Sequence, residues 1–144
     1  MNIVVDTSAF ISALLASEGA SRAILRRCLQ RHYFPIMGAA LFAEYEEVMG
    51  RDRLFETCPV SPDERIALFH AFMSVCHWTN IYFGWRPNLR DEGDNHLIEL
   101  ALAAGASAIV THNVKDFVST ELKFPQLLIL TPAQFLQRDP TWEH

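Results

Sequence analysis

The chain has 144 residues, which is enough for one domain of ordinary size and too few for two. Half of the residues are hydrophobic, so the chain can bury a core, and wholesale disorder is excluded. The formal net charge of −5 argues against a protein held to nucleic acid by bulk positive charge. It leaves open a nucleic-acid enzyme whose acids are concentrated in one metal site.

Short apolar runs and amphipathic stretches alternate along the chain. The apolar runs predict buried strands at 2–5, 33–37, 107–111 and 127–130, with a further extended segment at 78–83. Helices are predicted at 7–15, 21–31, 39–49, 61–76, 91–105 and 131–137. Because the strands lack in/out alternation, the pattern indicates an α/β fold with a parallel sheet covered by helices on both faces.

Capping residues mark several of these helix ends. Ser21 is predicted to cap the second helix, Ser61 followed by Pro62 opens the fourth, and Gly105 closes the fifth. We expect one domain over residues 1–137 and a flexible tail over residues 138–144.

The helix that begins after Ser61 is apolar nearly all round, and an uncharged stretch continues from Ile66 to Trp85. Polar residues within this stretch favour a helix running into a strand over a membrane span, so we expect a cytoplasmic protein with no membrane contact. The helix is either fully buried or contributes to a contact with a second subunit, and we favour the dimer.

Two aspartates follow predicted strands at the edge where parallel α/β sheets bind ligands. Asp6 comes directly after the first strand, and Asp116 follows the strand that contains Val110 after a short loop. Each alone could be a turn residue, because Asp is common in turns. The two together favour a site.

Two further acids lie on the inner sides of predicted helices. Glu44 flanks the stripe formed by Leu41 and Tyr45, where a carboxylate needs a cation or several hydrogen-bond donors. Asp94 lies three residues before Leu97, although it could equally serve the start of its helix, as could Asp91.

Acids brought this close together repel one another, and a divalent cation removes the conflict. Oxygen ligands without His or Cys favour a hard ion, Mg²⁺ or Mn²⁺. The residues therefore predict an acidic site for one or two such ions.

Four segments in order resemble the PIN-domain ribonucleases, and most of all the VapC-like toxins of bacterial toxin–antitoxin modules. The segments are Ile3–Ser8, Leu41–Val48, Asp94 with Leu97–Ala101, and Val110–Phe117. The likeness runs from Met1 to about Leu136, although the stretch from Cys58 to Arg90 is longer and more aromatic than in compact toxins.

The resemblance implies a three-layer α/β/α fold and Mg²⁺- or Mn²⁺-dependent cleavage of RNA. It assigns the catalytic and metal-binding acids and the polar residues that support them. The acids are Asp6, Glu44, Asp94 and Asp116, and the supporting residues are Ser8, Thr111 and Asn113, with Asp91 as a further supporting acid. It also implies a homodimer and an antitoxin partner whose C-terminal segment lies in the active-site groove.

Two basic residues beside these acids, Lys115 and Arg90, are candidates for contacts with substrate phosphates. The basic side of the helix that carries Arg22, Arg26 and Arg27 is interpreted as an ordinary solvated face. Two other functions stay open: a catalytically weak PIN-like module that binds protein or RNA, and a metal-dependent phosphomonoesterase.

Overall fold

The computed structural model describes residues 1–16, 18–81, 92–117 and 124–142, and within 92–95 it describes the backbone alone. Its described part contains five strands and six α-helices. The strands are β1 (Asn2–Val5), β2 (Phe34–Met37), β3 (His77–Trp78), β4 (Ala108–Val110) and β5 (Leu128–Leu130). The helices are α1 (Thr7–Leu15), α2 (Ala20–Leu29), α3 (Ala39–Met49), α4 (Pro62–Val75), α5 (Glu92–Ala104) and α6 (Pro132–Arg138). Two 3₁₀ turns cover Asp52–Phe55 and Val114–Phe117.

The strands form one parallel sheet in the order β3-β2-β1-β4-β5. Ile3, Val4 and Val5 are all buried in the central strand β1. Because successive side chains of a strand point to opposite faces, this burial requires cover on both sides of the sheet. The predicted three-layer α/β/α fold with a central parallel sheet is therefore confirmed.

The strand order reverses direction at β1. The chain runs outward from β1 to β2 and β3, then returns through α5 to β4 on the other side of β1. In open α/β sheets, ligands bind at such a switch point, in the crevice beyond the carboxyl ends of the two diverging strands. That crevice lies where β1 and β4 end, after Val5 and Val110.

The predicted elements match the observed ones closely, with one correction to a helix cap. Ser21 does not cap α2, because the helix begins after Gly19 and Ser21 is buried within it. The helix α4 is not fully buried, since Phe72 is covered while Ile66 keeps 49% of its surface exposed. In the described part of the chain, no helix is long and apolar enough to span a membrane.

Of the predicted tail, residues 138–142 are described, and they lie against α2. Arg138 still belongs to α6, and Asp139 is buried beneath it, in contact with Arg27 and Tyr33. The prediction missed this contact because its partners lie more than a hundred residues apart in sequence.

Candidate active site

Asp6 stands at the switch point of the sheet. It follows β1 directly, and its N–H donates to the carbonyl of Val110 at the end of β4, 2.9 Å away. This bond extends the β1–β4 ladder by one residue and fixes the position of the Asp6 backbone, from which the side chain projects. The residue is buried, with 6% of its surface exposed, so its carboxylate needs hydrogen-bond donors or a cation.

Two hydroxyl groups hold one oxygen of this carboxylate. Thr111 Oγ1 donates to Asp6 Oδ2 over 2.7 Å, and Ser8 Oγ donates to the same oxygen over 3.0 Å. Both hydroxyls are oriented in turn, because the N–H of Asn113 donates to Thr111 Oγ1 and that of His112 donates to Ser8 Oγ. The backbone after β4 therefore directs both hydroxyl protons toward Asp6.

Glu44 lies beside this cluster on α3, and each of its oxygens has a partner. Thr7 Oγ1 donates to Oε1 at 2.7 Å, and His96 Nε2, on α5, lies 2.9 Å from Oε2. The hydrogen bond from His96 lowers the pKa of Glu44, assisted by Thr7 and opposed by partial burial. Glu44 therefore remains a carboxylate at neutral pH and flanks the core-facing side of α3, as its helical position predicted.

Aromatic side chains pack beneath the end of β1, next to the residues that carry Asp6 and Glu44. Tyr45, the neighbour of Glu44, is buried and donates its hydroxyl to the carbonyl of Val5 at 2.6 Å. Its ring packs against Phe10 of α1 at 5.2 Å and Phe72 of α4 at 6.0 Å between centroids. The end of β1 is thereby tied to α1, α3 and α4, which restricts the movement of Asp6 relative to Glu44.

Asp116 is exposed in the second 3₁₀ turn, where its N–H donates to the carbonyl of Asn113 at 3.0 Å. Among the described residues, Asp116 is not grouped with Asp6 and Glu44 closely enough for the three to hold one metal ion. Lys115 is exposed in the same turn, and Asn113 is exposed before it. The structure thus brings Asp6, Ser8, Thr111 and Glu44 together and leaves the side chain of Asp116 exposed.

Three predicted residues lie outside this description. Asp94 belongs to the first turn of α5, two residues before His96, but only its backbone is described. Asp91 and Arg90 fall outside the described residues. Their predicted roles stay predictions.

The donor chemistry of the cluster fits a hard divalent cation. Asp6 and Glu44 offer carboxylate oxygens, and no thiol or imidazole bonds to Asp6 in the described part of the chain. Among the side chains that the structure describes, no three or more acids, histidines or cysteines are grouped closely enough to form a metal site on their own. A complete ligand set would therefore need the side chain of Asp94 or a rearrangement of Asp116.

Thr7 and His96, which hold Glu44, were not among the predicted site residues. Thr7 could have been found, because a hydroxyl directly after a strand-ending aspartate lies at the same sheet edge. His96 carries a weaker signal. It precedes the buried Leu100 by four residues, which places it on the side of α5 that faces the fold, and the sequence does not reveal that α3 packs opposite it.

Comparison with known proteins agrees with this architecture. A family model described as PIN domain matches residues 2–115. The chain therefore belongs to the PIN-domain family. The match includes Asp6, Glu44, Asp94 and Thr111 and ends one residue before Asp116.

A solved structure shares the fold. It is described as the crystal structure of VapBC2 from Rickettsia felis bound to a DNA fragment from their promoter. The alignment covers 90% of this chain and 97% of the matched chain, with 13% sequence identity and a TM-score of 0.56. No curated protein matches the chain.

Proposed function

We propose that this protein is a Mg²⁺- or Mn²⁺-dependent endoribonuclease and the toxin component of a toxin–antitoxin pair. The observation that carries the proposal is the carboxylate of Asp6, buried at the switch point and held only by hydroxyl groups among the described residues. A buried carboxylate without a cationic partner is costly, and a bound metal ion would offset that cost.

The metal ligands in this proposal are the four predicted acids. Asp6 and Asp116 would hold the principal ion, while Asp94 and Glu44 would complete its ligands, hold a second ion or orient the attacking water. When bound, a divalent ion lowers the pKa of water and neutralises charge on the phosphodiester as it is cleaved.

The neighbouring residues position these acids. Thr111 and Ser8 fix the orientation of the Asp6 carboxylate, and Asn113 orients the Thr111 hydroxyl through its backbone N–H. Thr7 and His96 hold Glu44 ionised. Lys115 and Arg90 contact substrate phosphates, and Asp91 supports the acids. In-line attack by water leaves a 5′-phosphate and a 3′-hydroxyl.

The toxin role rests on the family and on the shared fold. The matched structure is a VapBC2 complex bound to promoter DNA, so we propose an antitoxin as the partner of this chain, together with a homodimer in the cytoplasm. Exposed apolar side chains on α4 and β3, Ile66 and Trp78, are consistent with a subunit contact. The dimer predicts a solution mass near twice 16.4 kDa at micromolar concentration.

The test is cleavage of a labelled single-stranded RNA by the purified protein. We expect internal cleavage with Mn²⁺ or Mg²⁺ and none with EDTA. Asp6→Asn should reduce the rate about a thousandfold, because several kcal/mol of transition-state stabilisation are lost with the ion. Asp63→Asn removes an exposed acid from α4 and is the matched control, which should cleave as the wild type does.

Three results would count against the proposal. Asp6→Asn could cleave RNA as fast as the wild type, or the wild type could bind RNA without cutting it, as a binding module would. Hydrolysis of a chromogenic phosphomonoester together with intact RNA would instead identify a phosphatase.

A further inference from the structure

A groove runs between α2 and α6 on the flank of the molecule. It encloses about 500 Å³. Its lining includes charged, polar and aromatic side chains from both helices and from the residues next to them. These are Glu18, Arg22, Arg26, Gln137 and Trp142, and Gly19 lines the end of the groove at the start of α2.

Both walls of the groove begin next to the candidate active site. Ser21, in the first turn of α2, has its Oγ 3.4 Å from His112 Nε2, and the N–H of His112 donates to Ser8 Oγ. On the other side, the N–H of Thr111 donates to the carbonyl of Leu130, the residue before the cap of α6. The groove therefore leads away from the residues that hold Asp6.

The end of the groove at the start of α2 is suited to an anion. Arg22 Nε donates to the carbonyl of Ala13 at 2.6 Å, which anchors the guanidinium, while its buried Nη2 has no hydrogen-bond partner among the described residues. Arg26 follows one turn later, about 6 Å along the helix axis. The first N–H groups of α2 lie at the same end. No side chain caps them, since the N-cap residue is Gly19, and the first turn contains no acid that would offset the positive end of the helix dipole. Glu18 is the one opposing charge on the lining.

Trp142 adds an aromatic surface at the far end. Its ring lies 5.5 Å from the guanidinium carbon of Arg27, and its side chain is partly exposed. Proteins bind single-stranded nucleic acid with cationic side chains placed along its phosphate backbone, together with an aromatic ring on which a base can stack.

We propose that the α2–α6 groove binds the single-stranded RNA that flanks the scissile phosphodiester, with Arg22 and Arg26 on its phosphates and Trp142 against a base. The inference rests on the proposed ribonuclease function for the nature of the ligand. It revises the interpretation of this side of α2 as an ordinary solvated face. RNA is favoured over an acidic peptide because both helices that form the groove begin beside the backbone that orients Ser8 and Thr111.

The test measures binding and cleavage separately. Binding of a fluorescent 12-nucleotide RNA is followed by anisotropy in EDTA at several salt concentrations. Arg26→Glu should weaken binding about tenfold and reduce the slope of log K against log salt by about 0.7, because the variant no longer neutralises one phosphate. Arg53→Glu makes the same charge change on the exposed 3₁₀ turn and should bind as the wild type. Glu18→Gln should tighten binding a few-fold, and Arg22→Gln should weaken it.

Cleavage with Mn²⁺ then compares the 12-nucleotide RNA with a trinucleotide too short to reach the groove. Arg26→Glu should lower kcat/KM about tenfold for the long substrate and leave the trinucleotide unchanged.

The outcomes separate the two proposals. If the wild type cleaves RNA and Arg26→Glu binds and cleaves the 12-mer as well as the wild type, the groove proposal is wrong and the ribonuclease stands; a groove for acidic peptides would give this result. If no RNA is cut but binding still depends on Arg26, the ribonuclease is wrong, and the groove stands as an RNA-binding surface without a neighbouring cleavage site. Absence of any RNA binding would overturn the groove proposal directly.

Discussion

Asp6 and Asp139 are equally buried, each with 6% of its surface exposed, and their surroundings differ in one respect. Asp139 has a cation beside it, since Arg27 Nη1 lies 2.8 Å from its Oδ2. Asp6 forms no ion pair within the described residues and receives bonds from hydroxyl groups.

The contacts of Asp139 form a closed network. Its Oδ2 accepts from Arg27 and from the hydroxyl of Tyr33, and its Oδ1 accepts from the N–H and hydroxyl of Thr141 at 2.9 and 2.8 Å. Burial opposes its ionisation, but the bonds from Tyr33 and Thr141 and the charge of Arg27 lower its pKa overall. Burial, together with the bond to Asp139, raises the pKa of Tyr33 to about 12.

The difference separates a structural carboxylate from a functional one. Asp139 is neutralised by its own chain, so it closes the fold by fastening the C-terminal segment to α2. Asp6 has hydroxyl donors that fix its orientation without neutralising its charge, so the chain leaves that task to a ligand. Degree of burial alone would not distinguish the two residues.

The largest expected effect is on the free energy of unfolding, and it should differ between variants of the two aspartates. Asp139→Asn should lower the free energy of unfolding by about 3 kcal/mol, because it leaves the mostly buried Arg27 without its anionic partner. Asp6→Asn should leave stability in EDTA unchanged or raise it slightly, because it removes a buried charge that has no cation. Urea denaturation of both variants and the wild type in EDTA measures this.

A matched control is Asp63→Asn, which makes the same substitution at an exposed carboxylate. The comparison breaks down if Asp6→Asn loses as much stability as Asp139→Asn. It also breaks down if Asp139→Asn, assayed below its melting range, loses RNA cleavage while remaining folded.

The fold was largely predictable from local pattern. The buried runs at Ile3–Val5 and Ala108–Val110 have no polar residue inside them, and such runs form strands of a covered parallel sheet. Ser61 and Pro62 fixed the start of α4, where Ser61 accepts from the N–H of Glu64. The contacts of residues 138–142 with Arg27 and Tyr33 were not predicted, because these partners are distant in sequence and no local pattern marks them.

The candidate site was predictable only where the local sequence pattern marks a residue. Asp6 follows a strand and Glu44 flanks a core stripe, and both properties can be read from the neighbouring residues. The contact of His96 with Glu44 depends on how α3 packs against α5, which periodicity does not specify. Asp116 is separated from its strand by a short loop, and the turn that contains it leaves its side chain exposed.

A smaller effect should follow from loosening Asp6 without removing it. Thr111→Val deletes the hydroxyl that donates to Asp6 Oδ2 at 2.7 Å and keeps the shape of the side chain. We expect RNA cleavage to fall about 10- to 100-fold, as is usual when a group that orients a metal ligand is removed. Thr111→Ser retains the hydroxyl and should recover most of the activity. Equal rates for Thr111→Val and Thr111→Ser would show that the hydroxyl does not position Asp6.

The smallest expected effect is a pH dependence confined to the carboxylate that the chain neutralises itself. Because the pKa of Asp139 is lower in the folded protein than its ordinary value of 3.8, its contribution to stability is complete above that value. The contribution is lost as the pH falls through the lowered pKa. The difference in unfolding free energy between the wild type and Asp139→Asn should therefore be constant from about pH 7 to about pH 5. Below about pH 4 it should shrink by at most about 1.4 kcal/mol per pH unit.

Both proteins retain Glu44, whose pKa is also lowered, so its titration cancels in the difference. A difference as large at about pH 3 as at neutral pH would mean that the charge of Asp139 does not fasten the C-terminal segment.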